Sequence, residues 1–174
     1  MRRAIVNVLI LIAAFVLDHS AFPFFYIFPV SPNLLLIIVF TIAFVYGERE
    51  GLLYGLLAGL LMDTFYSGPF GYYTLIFIWI GFVNGLFTRY YYEDYIVLPI
   101  SLCILNEVFY SIYLMVLKYL TQGSLNIGFA IKRLIMPEVV LTVLFTLILY
   151  RPLLALNRVM KKLDTARKGN KLVQ

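Results

Sequence analysis

Between Ala4 and Tyr150 the chain offers long apolar runs separated only by short polar breaks, and that pattern leaves few folds open. A segment in lipid has no water for its backbone N–H and C=O groups and must satisfy them internally, which a helix does. The balance of the whole chain agrees. Of 174 residues, 63% are hydrophobic and 13% charged, with a mean hydropathy of +0.93. A soluble domain is roughly half apolar and a quarter charged. The expectation is an all-α polytopic membrane protein, a compact bundle of about six transmembrane helices, with no room for a soluble domain.

The spans follow from the breaks. Arg2 and Arg3 precede an apolar run from Ala4 to Leu17, which has a signal-peptide outline. Asp18-His19-Ser20 comes next in place of a small-residue cleavage site, so an uncleaved first span is expected. The segment from Phe22 to Pro32 holds three prolines and many aromatics and reads as an interfacial loop or shallow re-entrant segment. Asn33 or Ser31 is placed to cap a second span at Leu34–Tyr46, short for the roughly 20 residues that cross a bilayer. Gly47–Glu50 reads as a charged turn. The third span is expected at Gly51–Tyr66, the fourth at Tyr72–Thr88 and the fifth at Tyr95–Leu117. The sixth is expected to start within Ile127–Leu134 and end near Tyr150, with Pro137 kinking it. One membrane domain over residues 1–157 and a basic cytoplasmic tail over 158–174 result.

Charge gives the orientation. With both ends cytoplasmic, eleven of the fourteen lysines and arginines fall inside, and only Lys118, Lys132 and Arg133 fall outside. Cytoplasmic loops carry that excess in membrane proteins. The multi-pass protein is therefore expected with both termini cytoplasmic. Arg158, Lys161, Lys162, Arg167 and Lys168 follow the last span, where such a cluster attracts anionic lipid. The net charge of +5 lies mainly in this tail and is read as lipid contact, with no nucleic-acid partner.

Within the third span, Gly51, Gly55 and Gly59 recur every four residues, and the next such step lands on Asp63. Positions four apart share a helix face. A bare stripe of this kind lets another helix backbone approach closely. The facing helix belongs either to this protein or to a partner. A leucine at Gly55 is expected to disrupt the contact, and an alanine to be milder. Gly81 and Gly85 repeat the spacing on the fourth span. Asp63 is either an interface residue or held at an interhelical site.

Polar groups inside spans are costly and often functional. Asn84, Asn106, Glu107 and Glu138 are the candidates. For Glu107 the readings are a structural hydrogen bond, a proton site, a ligand contact or a partner's membrane helix. For Glu138 the plain reading is an ion pair with Lys132 or Arg133. The single histidine, His19, and the single cysteine, Cys103, make no metal cluster. The chain has no phosphate-binding loop, HExxH or GxSxG. No enzyme activity, cofactor or catalytic residue is expected.

Ser31-Pro32-Asn33-Leu34-Leu35-Leu36, Gly55 through Asp63, and Gly68-Pro69-Phe70-Gly71 resemble the bacterial rod shape-determining protein MreD family. The resemblance is strongest from Pro29 to Arg89. It implies a non-enzymatic inner-membrane scaffold of the elongation machinery for the lateral cell wall. The implied partners are MreC, MreB and the peptidoglycan synthase of RodA with its penicillin-binding protein. It also implies a fold similar to the substrate-binding subunits of energy-coupling-factor vitamin transporters. That similarity supplies an alternative function, a small-molecule binding subunit. Those subunits carry small residues four apart on their first span, whereas here Asn7 and Leu11 lie between Ala4 and Ala14. An intramembrane enzyme, the third class, has only scattered carboxylates in its favour.

Overall fold

The computed structural model of the chain describes residues 2–20, 31–66, 69–90, 97–122, 128 and 131–171. Six long helices account for most of them: α1 (Arg2–Ser20), α2 (Leu34–Tyr46), α3 (Glu48–Phe65), α4 (Tyr72–Leu86), α5 (Val97–Gln122) and α6 (Met136–Lys171). A 3₁₀ turn at Phe87–Tyr90 extends α4, and a π-helical turn at Ile131–Ile135 leads into α6. Among the described residues there is no strand.

The helices alternate in direction. Arg3 pairs with Glu50 and its guanidinium lies 4.5 Å over the Tyr46 ring, while the Tyr46 hydroxyl donates to the Asn157 backbone carbonyl at 3.0 Å. The start of α1, the α2–α3 junction and residue 157 of α6 thus share one end of the bundle, here the proximal end. At the distal end, Asp18 of α1 meets the start of α2, and Asp63 of α3 meets the start of α4.

Helix α2 sits in the centre. Every residue from Leu34 to Val45 is buried. At about 1.5 Å per residue its 13 residues span roughly 20 Å, short of the ~30 Å hydrocarbon core. Its shortness fits its place: protein, not lipid, surrounds it. Helix α6 runs beside it in parallel. The Asn33 amide donates to Thr142 Oγ1 at 3.0 Å, Phe40 stacks with Tyr150 at 6.3 Å, and Tyr46 reaches Asn157.

The expected charged turn shrinks to one residue. Glu48, Arg49 and Glu50 form the first turn of α3, where the two acids favour the positive end of the helix dipole. Gly47 alone reverses the chain. Its φ of 98° lies where a Cβ is disfavoured, and its N–H donates to the Ala43 carbonyl. Pro137 is the second residue of α6, directly after the π-helical turn, and its missing N–H falls where the helix changes from π to α. The proline inside the helix is Pro152, and the helix continues past it to Lys171. Helix α5 outlasts its expected end at Leu117 and runs to Gln122. The aromatic loop at 21–30 and the break at Ser67-Gly68 lie outside the described residues.

Helices α3 and α4 touch backbone to backbone. A Cβ built on Gly51 would overlap the Gly81 carbonyl, one on Gly55 the Phe77 carbonyl, and one on Gly59 the Thr74 Cα. Gly85 lies against Glu48 in the same way. The facing helix of the glycine stripe is therefore this protein's own α4. Alanine at Gly55 is also no longer mild, since its one methyl group has no room. Overpacking of this kind costs about 1–3 kcal/mol or more. Gly51→Ala, Gly55→Ala and Gly81→Ala are each expected to lower the thermal unfolding temperature in detergent by several degrees, and Gly55→Leu further. Leu53→Ala, on the exposed face of α3, should move it little.

Candidate functional site

The buried polar residues fall into caps, a mid-bundle pair and an acidic centre. Asp63 is buried on α3 and reaches across to the start of α4. Its two carboxylate oxygens accept from the Tyr73 and Thr74 amides, each at 2.9 Å, and from the Thr74 hydroxyl. The first amides of any helix lack partners within it, and a carboxylate there also meets the positive end of the helix dipole. Gly71, at φ 101°, sets the entry to α4. Asp63 thus closes the end of the glycine contact that its sequence spacing placed it on.

Asp18 does the same for α2, a role that spacing within one span did not reveal. It accepts from the Leu34 and Leu35 amides at 3.3 Å, while Asn33 Oδ1 takes the Leu36 amide at 3.1 Å. Asn33 is thus the cap expected from sequence, and Asp18 supplements it from another helix. The readable signal was a lone acid ending an apolar span, opposite a helix with no acid of its own in its first turn.

In the middle of the bundle, Asn84 of α4 and Asn106 of α5 exchange two hydrogen bonds, at 3.0 and 2.9 Å. Both side chains are essentially fully buried. One turn away, Cys103 lies 3.0 Å from Thr146 Oγ1, tying α5 to α6. These pairs explain how α5, which touches α4 only lightly, keeps its rotation about its own axis.

Glu107 is different. It is 0% exposed, and neither of its carboxylate oxygens has a hydrogen-bond partner among the described residues. Among the described residues, the charges that act on it are those of Glu138 and Asp18, both acidic. The structure thus brings Glu107 and Glu138 together with an acid that sequence reasoning had not singled out. The ion pair expected for Glu138 is not among the described contacts: Lys132 is exposed, and the Arg133 side chain lies outside the described part. The backbone at Arg158, Lys161, Lys162, Arg167 and Lys168 continues α6, and their side chains lie outside it as well.

Two helical stretches among the described residues, Val97–Leu120 and Met136–Asn157, are long and apolar enough to cross a membrane. A family model for the rod shape-determining protein MreD matches residues 1–160. The chain belongs to the MreD family. It is accordingly a rod-shape-determining membrane protein, involved with the machinery that gives rod-shaped cells their form. No curated protein and no solved structure matches the chain. In this MreD-family chain the glycine face and the two capping acids serve the helical framework. Glu107 is the intramembrane candidate whose hydrogen-bonding capacity the framework leaves unused.

The capping role of Asp63 has a measurable consequence. Hydrogen bonds to a charged group contribute about 1.5–3 kcal/mol each at most, and an amide left buried without a partner costs a similar amount. Asp63→Ala is expected to destabilise the protein by about 2–3 kcal/mol, and Asp63→Asn, which keeps one acceptor oxygen, by less. Hydrogen exchange should locate the loss at the Tyr73 and Thr74 amides. Protection unchanged there in Asp63→Ala would refute the capping role.

Proposed function

We propose that this protein is a non-enzymatic scaffold in the inner membrane, through which the cell-wall elongation machinery is held together. Its partners in this reading are MreC, MreB and the peptidoglycan synthase of RodA with its penicillin-binding protein. The observation that carries the reading is the MreD family match over residues 1–160. The internal chemistry supports it. Apart from the acidic centre around Glu107, the buried polar side chains named above act as helix caps or interhelical pairs, as a rigid framework requires.

In this reading all six helices belong to one membrane domain, residues 1–157, similar to the substrate-binding subunits of energy-coupling-factor transporters. Both termini face the cytoplasm. The alternation of helix direction and the shared proximal end of Arg3 and Asn157 support an even number of crossings. The tail beyond residue 157 extends α6 along the cytoplasmic surface, where its five cations meet anionic lipid at about 1 kcal/mol each. The glycine face is filled by α4, so partner helices dock elsewhere. The exposed apolar faces of α1 (Ile5, Leu9, Ile12, Val16) and α5 (Leu105, Val108, Ile112) are the surfaces open to them.

Three measurements test this. Reporter fusions after Gln122 and after Gln174 are expected on opposite sides of the membrane, and both on one side would refute the topology. Depletion in a rod-shaped host should give round cells that the wild-type chain restores. A mild-detergent pull-down should recover MreC and the synthase. Recovery of a vitamin and a transporter module in their place would favour the transporter-subunit function and refute the scaffold.

A further inference from the structure

Four polar atoms in the distal half of the bundle are buried without a partner among the described residues: both oxygens of Glu107, Ser111 Oγ and His19 Nε2. Glu107 is 0% and Ser111 6% exposed. They sit four residues apart, so they share one face of α5 on neighbouring turns. All four atoms can accept hydrogen bonds. His19 Nδ1 donates to the Phe15 carbonyl at 2.8 Å, which in the neutral ring leaves Nε2 with a lone pair. Asn7 Nδ2, a donor, is also without a partner, but it belongs to the proximal half of α1.

Among the described residues, the charges that bear on Glu107 are acidic. Glu138 and Asp18 both act on Glu107. Lys118, near the C-terminal end of α5, and Lys132, in the π-helical turn before α6, have exposed side chains. Aromatic rings stand beside the acids. Tyr66 and Tyr73 lie 5.3 Å apart, and the buried Tyr110 packs on Phe77 at 5.7 Å. Tyr110 is close enough to Glu107, Glu138, Tyr66 and Tyr73 to feel their charge. Among the described residues the acids are too far apart to hold one metal ion. What unused acceptors, acids and aromatic faces have in common is a demand for a larger cation with several N–H donors.

We propose that Glu107 and Ser111, together with Asp18, Glu138 and the tyrosines beside them, form a binding site for an organic cation bearing an ammonium or guanidinium group. Such a group would give Glu107 the partner it lacks, since a charged donor matches a buried carboxylate where a neutral one leaves its charge uncompensated. The group belongs either to a free amine or to a lysine or arginine side chain of a neighbouring chain. The site does not rest on the scaffold reading, because it is tested on the isolated protein.

The test uses the purified full-length protein in detergent, titrated with agmatine, with butylamine and with uncharged butanol. Calorimetry and thermal unfolding are expected to show saturable binding of a cation and none of butanol, with affinity at least ten-fold lower in Glu107→Gln and a few-fold lower in Ser111→Ala. Native mass spectrometry of the protein taken from its own membranes separates the two sources. A retained small amine identifies a free ligand. A retained chain that Glu107→Gln or excess agmatine releases identifies a side chain. Without ligand, Glu107→Gln should unfold at the wild-type temperature or above it, because the Glu107 oxygens hold no hydrogen bond among the described residues that the change could break. A carboxylate held by structural bonds would give a lower temperature and overturn the proposal. So would equal binding of the probes by wild type and Glu107→Gln, an equal response to butanol, or the finding of neither probe binding, retained amine nor releasable chain.

Discussion

The contact between α3 and α4 is the interaction on which the rest of the bundle depends. In lipid, burying a leucine against protein gains little by transfer, because the surroundings it leaves are as apolar as those it enters. Close packing has to supply the attraction, at about 0.1–0.2 kcal/mol per pair of heavy atoms in contact. Gly51, Gly55 and Gly59 bring the two backbones together over two turns of helix, and Gly81 and Gly85 return the approach from the other side. Its distal end is fixed by Asp63 on the α4 amides. At the proximal end Thr88, just past α4, ties that helix to α2, its hydroxyl lying 3.1 Å from the Ala43 carbonyl and 2.7 Å from that of Gly85.

That pair forms one wall of the cavity in which α2 lies. A helix enclosed on all sides cannot use water for its terminal groups, so other helices must supply the partners. Asp18 and Asn33 serve its N-terminal amides, and its C-terminal end turns at once into α3 through Gly47. Helix α6 completes the enclosure along the parallel seam through Thr142, Tyr150 and Asn157. A span of 13 residues is tolerable for this reason: its neighbours, not its own length, separate it from lipid.

Much of this was legible in the sequence, and the reasons differ by element. Apolar runs and polar breaks located all six helices, because a lipid-exposed backbone has no alternative to the helix. The glycine spacing showed a smooth face, yet a smooth face does not name the chain that fills it. Gly81 and Gly85 on the next span were the complementary half of that information. Asn84 and Asn106 were visible as costly polar residues, while their pairing required the rotation of two helices. Asp18 was passed over because its importance lies in the amides of α2, sixteen residues on. The central place of α2 was equally hidden. Its sequence is apolar on every side, which suits a helix in lipid and a helix in a protein core alike.

The polar accounting then separates framework from function. Asn33, Asp63, Asn84, Asn106, Thr142 and Thr146 each meet a partner in the structure. A sequence that satisfies so many buried groups does not leave a fully buried carboxylate and a hydroxyl one turn away idle for want of suitable residues. Replacing Glu107 by leucine would remove an unpartnered buried carboxyl group from the middle of the bundle at no cost in hydrogen bonds among the described residues. Departures from local consistency of this kind concentrate where a protein gives up stability for a task. The glycine contact, the caps and the asparagine pair hold α5 in one rotation about its axis, and that rotation points Glu107 inward toward Asp18 and Glu138 instead of outward to lipid. The framework that shapes the bundle is thus also what presents the acid, and a change anywhere in the α4–α5 pairing at Asn84 and Asn106 acts on both.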